Sequence, residues 1–544
     1  MAADATKYGI SQPLDDQPPH DGDEDSSAAL VTVLKALGVY ESQEGSRRRA
    51  SLIDDVAAEC QHWCREEWLL QGNDHDSSPR CELRTFGSVK LDVHTPDADI
   101  DLVLVAPRHC TRTAFFDRLA KRLENREDVG EGRVMPVRDA YTPVLKFRMN
   151  TTDVDLLFAP LDLEKLPEPL DIMDDSLMNG LDDVSVRSLN GARVAEYLLD
   201  LVPDQSVFRV ALRAIKKWAR CKGLYSNVLG LLGGINCAIL VAFVCQKYPL
   251  KDPAVVVEKF FRVMEAWDWP NPIMLRQPSA DDARAWNPRL NPRDRAHLAP
   301  IVTPAHPSMN SSYNIGAPQL RAIKEELTLG KSETRRIQKL AHSETRTPKQ
   351  LQRAWRRFFR PSDFFEAHRH YVQVDVSADS DDALRRWTAW CESRLRQFVV
   401  ALDLETPARV HATPLENTNG ARKTRSFFVG LVFRTDSSGV RFKVDLTPQV
   451  REFSARVNCW TLRTEGMDLC LRHTSRDDLP LEVRTVYDSS SEEEEVEQVD
   501  PESERPQPED PPPAAAAEER KPRQLSYADM LRRKGLPVKR VATT

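Results

Sequence analysis

The chain has 544 residues, 41% of them hydrophobic and 29% charged, with a formal net charge of −7. That length exceeds one ordinary domain and predicts three or four folding units with real apolar cores. The negative balance excludes nucleic-acid binding through overall charge, so any RNA site must be a local basic patch.

Residues 1–27 are acidic and Pro-rich and read as mostly irregular. Ala28 to Gly38 reads as a short apolar helix, and Arg47 to Leu70 as a longer amphipathic one. Cys60 and Cys64 stand one helical turn apart with His62 between them. A half-buried helix face explains them better than a metal, because the ten cysteines form no paired C-x₂-C knuckles. Nothing resembles a secretory signal, so a reducing intracellular compartment is expected.

The segment Phe86-Gly87-Ser88 followed by Asp99-Ile100-Asp101 carries the most chemistry. Leu102 to Val105 continues as a buried strand, so Asp99 and Asp101 share one face. Two carboxylates so close repel each other unless a cation lies between them. Hard oxygen ligands suit Mg²⁺ or Mn²⁺. The Gly-Ser turn offers backbone N–H groups and a hydroxyl to a phosphate. A metal-dependent enzyme acting on a nucleoside triphosphate is the functional reading; a solvated strand edge is the alternative.

Val144 to Met149 alternates apolar and polar residues, and Asp153 to Phe158 follows a short Asn/Thr turn, which predicts a hairpin. It can set Asp155 beside the Asp99/Asp101 strand. Three carboxylates can hold two divalent ions, about 3.5–4 Å apart in such sites. Asp153 shares the face of Asp155 and competes with it; closing the turn is its other role. Asp155 has the stronger claim because apolar residues flank it.

Helical patterns follow. Phe208 to Arg220 is preceded by Asp204 or Ser206 as N-cap, and Arg213, Lys216, Lys217 and Arg220 fall on one stripe that suits a phosphate or a solvated face. Val228 to Cys245 is long and apolar, but Gly230, Gly233, Gly234 and Asn236 interrupt it, so a buried helix of a soluble domain is expected rather than a membrane span. Residues 331–360 hold ten Lys/Arg against two Glu and end near Trp355, Phe358 and Phe359. They read as a basic linker or helix, open to RNA backbone or to solvent.

From His370 the pattern runs strand (His370–Val376), helix (Ala383–Leu402), strand (Arg409–Thr413), strand (Ser426–Arg434), strand (Phe442–Leu446) and helix (Pro448–Trp460). That order suggests a small α/β sandwich of the ferredoxin-like or RNA-recognition type, without the aromatic RNA-recognition signature. Residues 477–544 read as a disordered tail. Within it residues 486–519 hold thirteen Asp/Glu and one Arg, and residues 520–544 eight Lys/Arg and one Asp, leaving the rest of the chain near −2. Ser489-Ser490-Ser491 precedes four glutamates and suggests phosphorylation; Leu525 to Lys534 reads as a short helix; Arg532-Arg533-Lys534 with Lys539-Arg540 suggests an import signal or leftover tail charge.

From about Lys7 to Trp460 the sequence resembles the eukaryotic nuclear-type poly(A) polymerases of the DNA polymerase β-like nucleotidyltransferase superfamily. The resemblance rests on Tyr8-Gly9-Ile10, Phe86-Gly87-Ser88 through Asp101-Leu102, Ala106-Pro107-Arg108-His109, Arg187-Ser188-Leu189-Asn190-Gly191, Tyr225-Ser226-Asn227, Leu232-Gly233-Gly234, Trp269-Pro270-Asn271-Pro272 and Asn291-Pro292-Arg293-Asp294. It implies a multidomain α+β fold: an N-terminal segment packing with the central domain (1–45), a nucleotidyltransferase catalytic domain (46–165), a helical central domain (166–355), an RNA-recognition-like RNA-binding domain (356–476) and a disordered tail (477–544).

The resemblance also implies roles. Asp99, Asp101 and Asp155 look like catalytic ligands of two Mg²⁺ or Mn²⁺ ions. Phe86, Gly87, Ser88 and Thr95 look like parts of the ATP pocket. Asn190, Lys216, Tyr225, Gly234 and Ile235 fall on positions that contact ATP, and Ser312 lies where a threonine is usual. The implied activity is template-independent addition of AMP from ATP to an RNA 3′ end. The implied setting is the nucleus, beside the cleavage and polyadenylation machinery and away from membranes. Another terminal nucleotidyltransferase, or a non-catalytic RNA-binding scaffold keeping the fold, are the rival readings. The segment 331–360 and the short tail depart from the family.

Overall fold

The structure, a computed structural model, describes residues 13–14, 20–74, 78–129, 133–278, 284–417, 422–433 and 444–479. The expectations for Tyr8-Gly9-Ile10, for Phe442 and for the tail features at Ser489–Ser491, Leu525–Lys534 and Lys539-Arg540 lie outside the described residues.

Helix α1 spans Asp23–Ala36 and starts five residues before the expected Ala28. Asp23, Glu24 and Asp25 fill its first turn, where carboxylates favour the positive helix end. Helix α2 spans Gln43–Leu70, capped by Ser42, whose hydroxyl accepts from the Gly45 N–H at 3.0 Å. Its inward stripe is Leu52, Val56, Cys60, Trp63 and Cys64, while His62 stays exposed.

The first sheet has the order β1-β2-β5-β4-β3, built from β1 Glu82–Thr85, β2 Ile100–Ala106, β3 Val134–Val137, β4 Val144–Met149 and β5 Thr152–Pro160. β2 runs parallel to β5, and the other pairs are antiparallel. The β4–β5 hairpin forms as expected, with Met149 opposite Thr152 and Asn150 in the left-handed region at φ 54°. One face of the sheet packs on α2 and Phe115–Leu119, where the Trp63 ring meets Phe115 and Phe158 edge-on. The other face packs on Leu161, Leu170, Met178 and Leu189.

Helices Asp183–Asp200, Gln205–Cys221, Gly234–Lys247, Pro253–Glu265, Ala317–Ala341 and Pro348–Phe358 share a core with α1. Gly234–Lys247 is the buried apolar helix expected within Val228–Cys245. Among the described residues no helix is long and apolar enough to cross a membrane. The basic stretch 331–360 is not a linker. It is the end of one helix and the whole of Pro348–Phe358, which opens with a Thr347/Gln350 capping box. Leu351, Trp355 and Phe358 turn inward, and the Trp355 indole donates to Ser26 Oγ of α1 at 3.3 Å. Its aromatics are therefore core residues.

The second sheet has the order β10-β6-β9-β7, with β8 also on β9, and every pair is antiparallel. Its strands are β6 His370–Ala378, β7 Ala408–Val410, β8 Leu415–Asn417, β9 Lys423–Leu431 and β10 Asp468–Ser475, with helices Asp381–Asp403 and Thr447–Asn458 between them. The observed succession is β-α-β-β-β-α-β, which keeps the expected strand-helix-three strands-helix order from His370 and adds one strand at its end. The final strand is misplaced by the sequence reading: Val444–Leu446 carry no strand, and β10 closes the sheet instead. β10 leaves Asp468, Cys470, Arg472 and His473 exposed, so its apolar alternation is faint. The expected tail starts slightly early, because Leu479 is buried beside Phe364 and Phe365.

Candidate active site

The parallel pairing of β2 and β5 sets Asp101 directly opposite Asp155. Asp99 lies two residues before Asp101 and projects the same way. Oxygens of the three carboxylates all lie within 4.8 Å of one another. β4 supplies a counter-charge: Lys146 sits opposite Asp155 and forms an ion pair with it. Asp153, the rival to Asp155, is largely exposed and lies 3.7 Å from Arg148.

One lysine does not balance three carboxylates. Burial first, then repulsion from Asp99 and Asp155, pushes the Asp101 carboxyl up to about 7. Asp99 is raised for the same reasons, burial first and Asp155 next. The donor set is all-oxygen, anionic and under-neutralised, which fits hard divalent cations. Gly87 permits the arrangement. Its φ is +60°, and a Cβ there would stand 2.2 Å from Asp101 Oδ2. The adjoining Phe86 N–H donates to the Asp101 carbonyl at 3.0 Å, tying the turn to β2.

The carboxylates open into a cavity of about 1690 Å³. Phe86, Gly87, Ser88, Asn190, Lys216, Tyr225, Gly234 and Ile235 line it with Asp99, Asp101 and Asp155. Lys216 is 7% exposed, and its ammonium donates to the Val93 carbonyl at 3.1 Å. Burial first, then Arg220 and Arg213, lowers its pKa to about 8. Arg213, from the same predicted stripe, instead stacks on Tyr40 at 4.5 Å and faces Asp92. Burial raises Tyr225 to about 12, and the Arg220 guanidinium lies 4.9 Å over its ring. Asn190 donates to the Pro307 carbonyl at 3.1 Å, and its buried Oδ1 has no protein partner. Gly234 and Ile235 form the first turn of a 14-residue helix, whose free N–H groups suit an anion. A Cβ at Gly234 would press on the Tyr225 hydroxyl at 2.9 Å.

Two expected residues do not line the cavity. Thr95 touches it through Arg220, whose guanidinium donates to Thr95 Oγ1 at 3.4 Å. Ser312 is 2% exposed, and its hydroxyl is engaged by the Ile301 N–H at 3.0 Å and the Ala299 carbonyl. Its neighbour Ser311 reaches the cavity instead, with Thr303 and Met309. The sequence reading also missed Lys146, although its strand alternation set it on the face of the carboxylates. A far wall comes from the second sheet and its first helix, through Arg385, Arg386, Lys423 and Arg425 with Asp381, Asp382 and Glu416. The cavity thus carries ten Lys/Arg against eight Asp/Glu, in a chain whose overall charge is negative.

Three family models match this chain: the poly(A) polymerase nucleotidyltransferase domain over residues 9–202, the poly(A) polymerase central domain over 207–347, and the poly(A) polymerase predicted RNA binding domain over 363–417. Nuclear poly(A) polymerase 1 of Arabidopsis thaliana is 38% identical over 486 residues, covering 87% of this chain and 66% of its own. Nuclear poly(A) polymerase 2 of the same plant is 38% identical over 491 residues, with coverages of 88% and 60%. The poly(A) polymerase of Dictyostelium discoideum is 35% identical over 499 residues, with coverages of 88% and 60%. The chain therefore spans two thirds or less of the length of these relatives.

Proposed function

The chain belongs to the poly(A) polymerase family, and from that premise we propose that it is a nuclear enzyme adding AMP from ATP to RNA 3′ ends without a template. The convergence of Asp99, Asp101 and Asp155 at one end of the cavity carries the proposal. These three side chains would hold Mg²⁺ or Mn²⁺, two ions in all, which lower the pKa of an attacking hydroxyl and neutralise a leaving oxygen.

The reaction joins the RNA 3′ hydroxyl to the α-phosphate of ATP and releases pyrophosphate. The chain's own residues orient and neutralise. Lys216 and the N–H groups of Gly234 and Ile235 grip the triphosphate, and the Tyr225 hydroxyl, held protonated by burial, donates to it. The open Asn190 Oδ1 accepts a hydrogen bond from the nucleoside, and the Gly87-Ser88 turn closes on the phosphates. Lys146 holds Asp155 in place. Most of the rate then comes from positioning and fixed charge. Arg385, Arg386, Lys423 and Arg425 reach the RNA backbone by exchanging their ion pairs with Asp382, Asp381 and Glu416 for phosphates, a local contact that needs no overall positive charge. Work beside the cleavage and polyadenylation machinery follows from the family relationship.

The test is incubation of the purified chain with labelled RNA and one nucleotide at a time, in Mg²⁺ or Mn²⁺. ATP alone should extend the primer into a ladder. Equal use of UTP or CTP, or no incorporation with either ion, would reject the assignment.

A further inference from the structure

Behind the first sheet lies a second cluster of metal-binding side chains, beyond the end of β2 remote from Asp101. Cys64 comes from α2, and His109 and Cys110 from the loop after β2. Cys64, His109 and Cys110 are all buried. Cys64 Sγ lies 3.6 Å from Cys110 Sγ and 3.6 Å from His109 Nε2, and Cys110 Sγ lies 3.4 Å from the same nitrogen.

These separations are those of a coordination polyhedron. A tetrahedral ion with zinc–sulfur bonds of about 2.3 Å and zinc–nitrogen bonds of about 2.0–2.1 Å sets its ligands about 3.8 Å apart for two sulfurs and about 3.5 Å apart for sulfur and nitrogen. Ordinary packing of two thiols does not require an imidazole nitrogen facing both sulfurs. The nearby Cys81 thiol donates to Gln61 Oε1 at 3.6 Å. We propose that Cys64, His109 and Cys110 form a structural site for Zn²⁺.

The chemistry is consistent. Cys110 Sγ donates to Cys64 Sγ in the ion-free chain, and a cation would bind both sulfurs as thiolates. His109 Nε2 also lies 3.1 Å from the Cys64 carbonyl oxygen, and Nδ1 has no partner. Without a cation the ring proton sits on Nε2 and is donated to that carbonyl. Binding moves it to Nδ1 and releases the thiol protons to solvent. The ion would staple α2 to the loop at the end of β2, fixing the strand that carries Asp101 from its far end. The spacing resembles no zinc motif because the ligands come from two segments, 45 residues apart, that only the fold brings together.

The test uses the full chain, purified without chelator under reducing conditions. Elemental analysis should find about one zinc per chain. Replacement by Co²⁺ should give thiolate-to-cobalt charge-transfer absorption, which a carboxylate site cannot produce. Cys110→Ser should lower the zinc content at least fivefold and remove that absorption, and stripping the wild-type chain with a strong chelator should lower its Tm reversibly. If Cys110→Ser fails to fold, the wild-type metal content and cobalt spectrum decide alone. A chain that is zinc-free as purified and gives no thiolate band with Co²⁺ overturns the proposal. So does an intact Cys64–Cys110 disulfide in the freshly isolated protein, which would make the pair a redox couple.

Discussion

Replacing Gly87 by alanine separates the geometry of the carboxylates from the stability of the fold. The residue sits at φ +60°, which costs an alanine about 1–2 kcal/mol. The new Cβ would stand 2.2 Å from Asp101 Oδ2, whereas ordinary contact begins at 3.4 Å, so the oxygen must retreat by the difference of about 1.2 Å. The obstacle is the end of a side chain, so the retreat is cheap for the fold. It is expensive for the chemistry, because a misplacement of about 1 Å costs roughly 100-fold in rate. Gly87→Ala should therefore lose about 100-fold in kcat/KM for AMP incorporation while Tm drops by only a few degrees. Gly38→Ala is the control: its φ is +65°, and nothing lies within 4 Å of its Cβ. It carries the same backbone cost and should keep full activity. Primer extension and thermal melts on both variants read the two effects apart. Activity of Gly87→Ala within threefold of wild type, or equal losses in both variants, would refute the reasoning.

Asp155→Ala should lower incorporation by more than about a hundredfold with the fold intact, whereas Asp153→Ala, at an exposed site, should change it by a few-fold at most; equal effects would mean that the ligand is misassigned. Lys216 titrates near 8, so the KM for ATP should rise as pH passes upward through that value and the ammonium is lost. The sign for stability is opposite: the folded pKa lies below the unfolded one, the unfolded chain binds more protons above pH 8, and folding gains as pH rises. Lys216→Met should raise KM and flatten both profiles, and unchanged pH profiles of KM and Tm would remove Lys216 from the pocket. Ser312→Ala should cost about 1–2 kcal/mol of stability by unsatisfying the Ala299 carbonyl and weakening the hold on the Ile301 N–H, with KM for ATP unaltered per folded molecule. A raised KM at unchanged Tm would return that hydroxyl to the nucleotide.

Features set by neighbours along the chain were legible beforehand. Alternation placed β4 and β5, the apolar stripe placed most of α2, and the Asp204 cap opened the helix that carries Lys216. The errors arose where local composition and final environment disagree. Residues 348–358 are basic by count, yet three apolar side chains at helical spacing decide their burial. β10 is an edge strand with a mostly exposed pattern, and pairing with β6 rather than its own residues makes it a strand.

The amino-acid order by itself determined which residues hold chemistry: three aspartates on or beside two strands, a glycine before a serine, and a lysine on a helix. Only the tertiary structure decided which of them meet. The parallel register of β2 with β5 puts Asp101 across from Asp155, the turn of a loop offers Ser311 and withdraws Ser312, and the sheet gathers cysteines from distant segments. The physical reason is that local sequence governs backbone propensity within a few residues. Convergence of side chains depends on strand register and packing between segments, where no short stretch of chain carries the information.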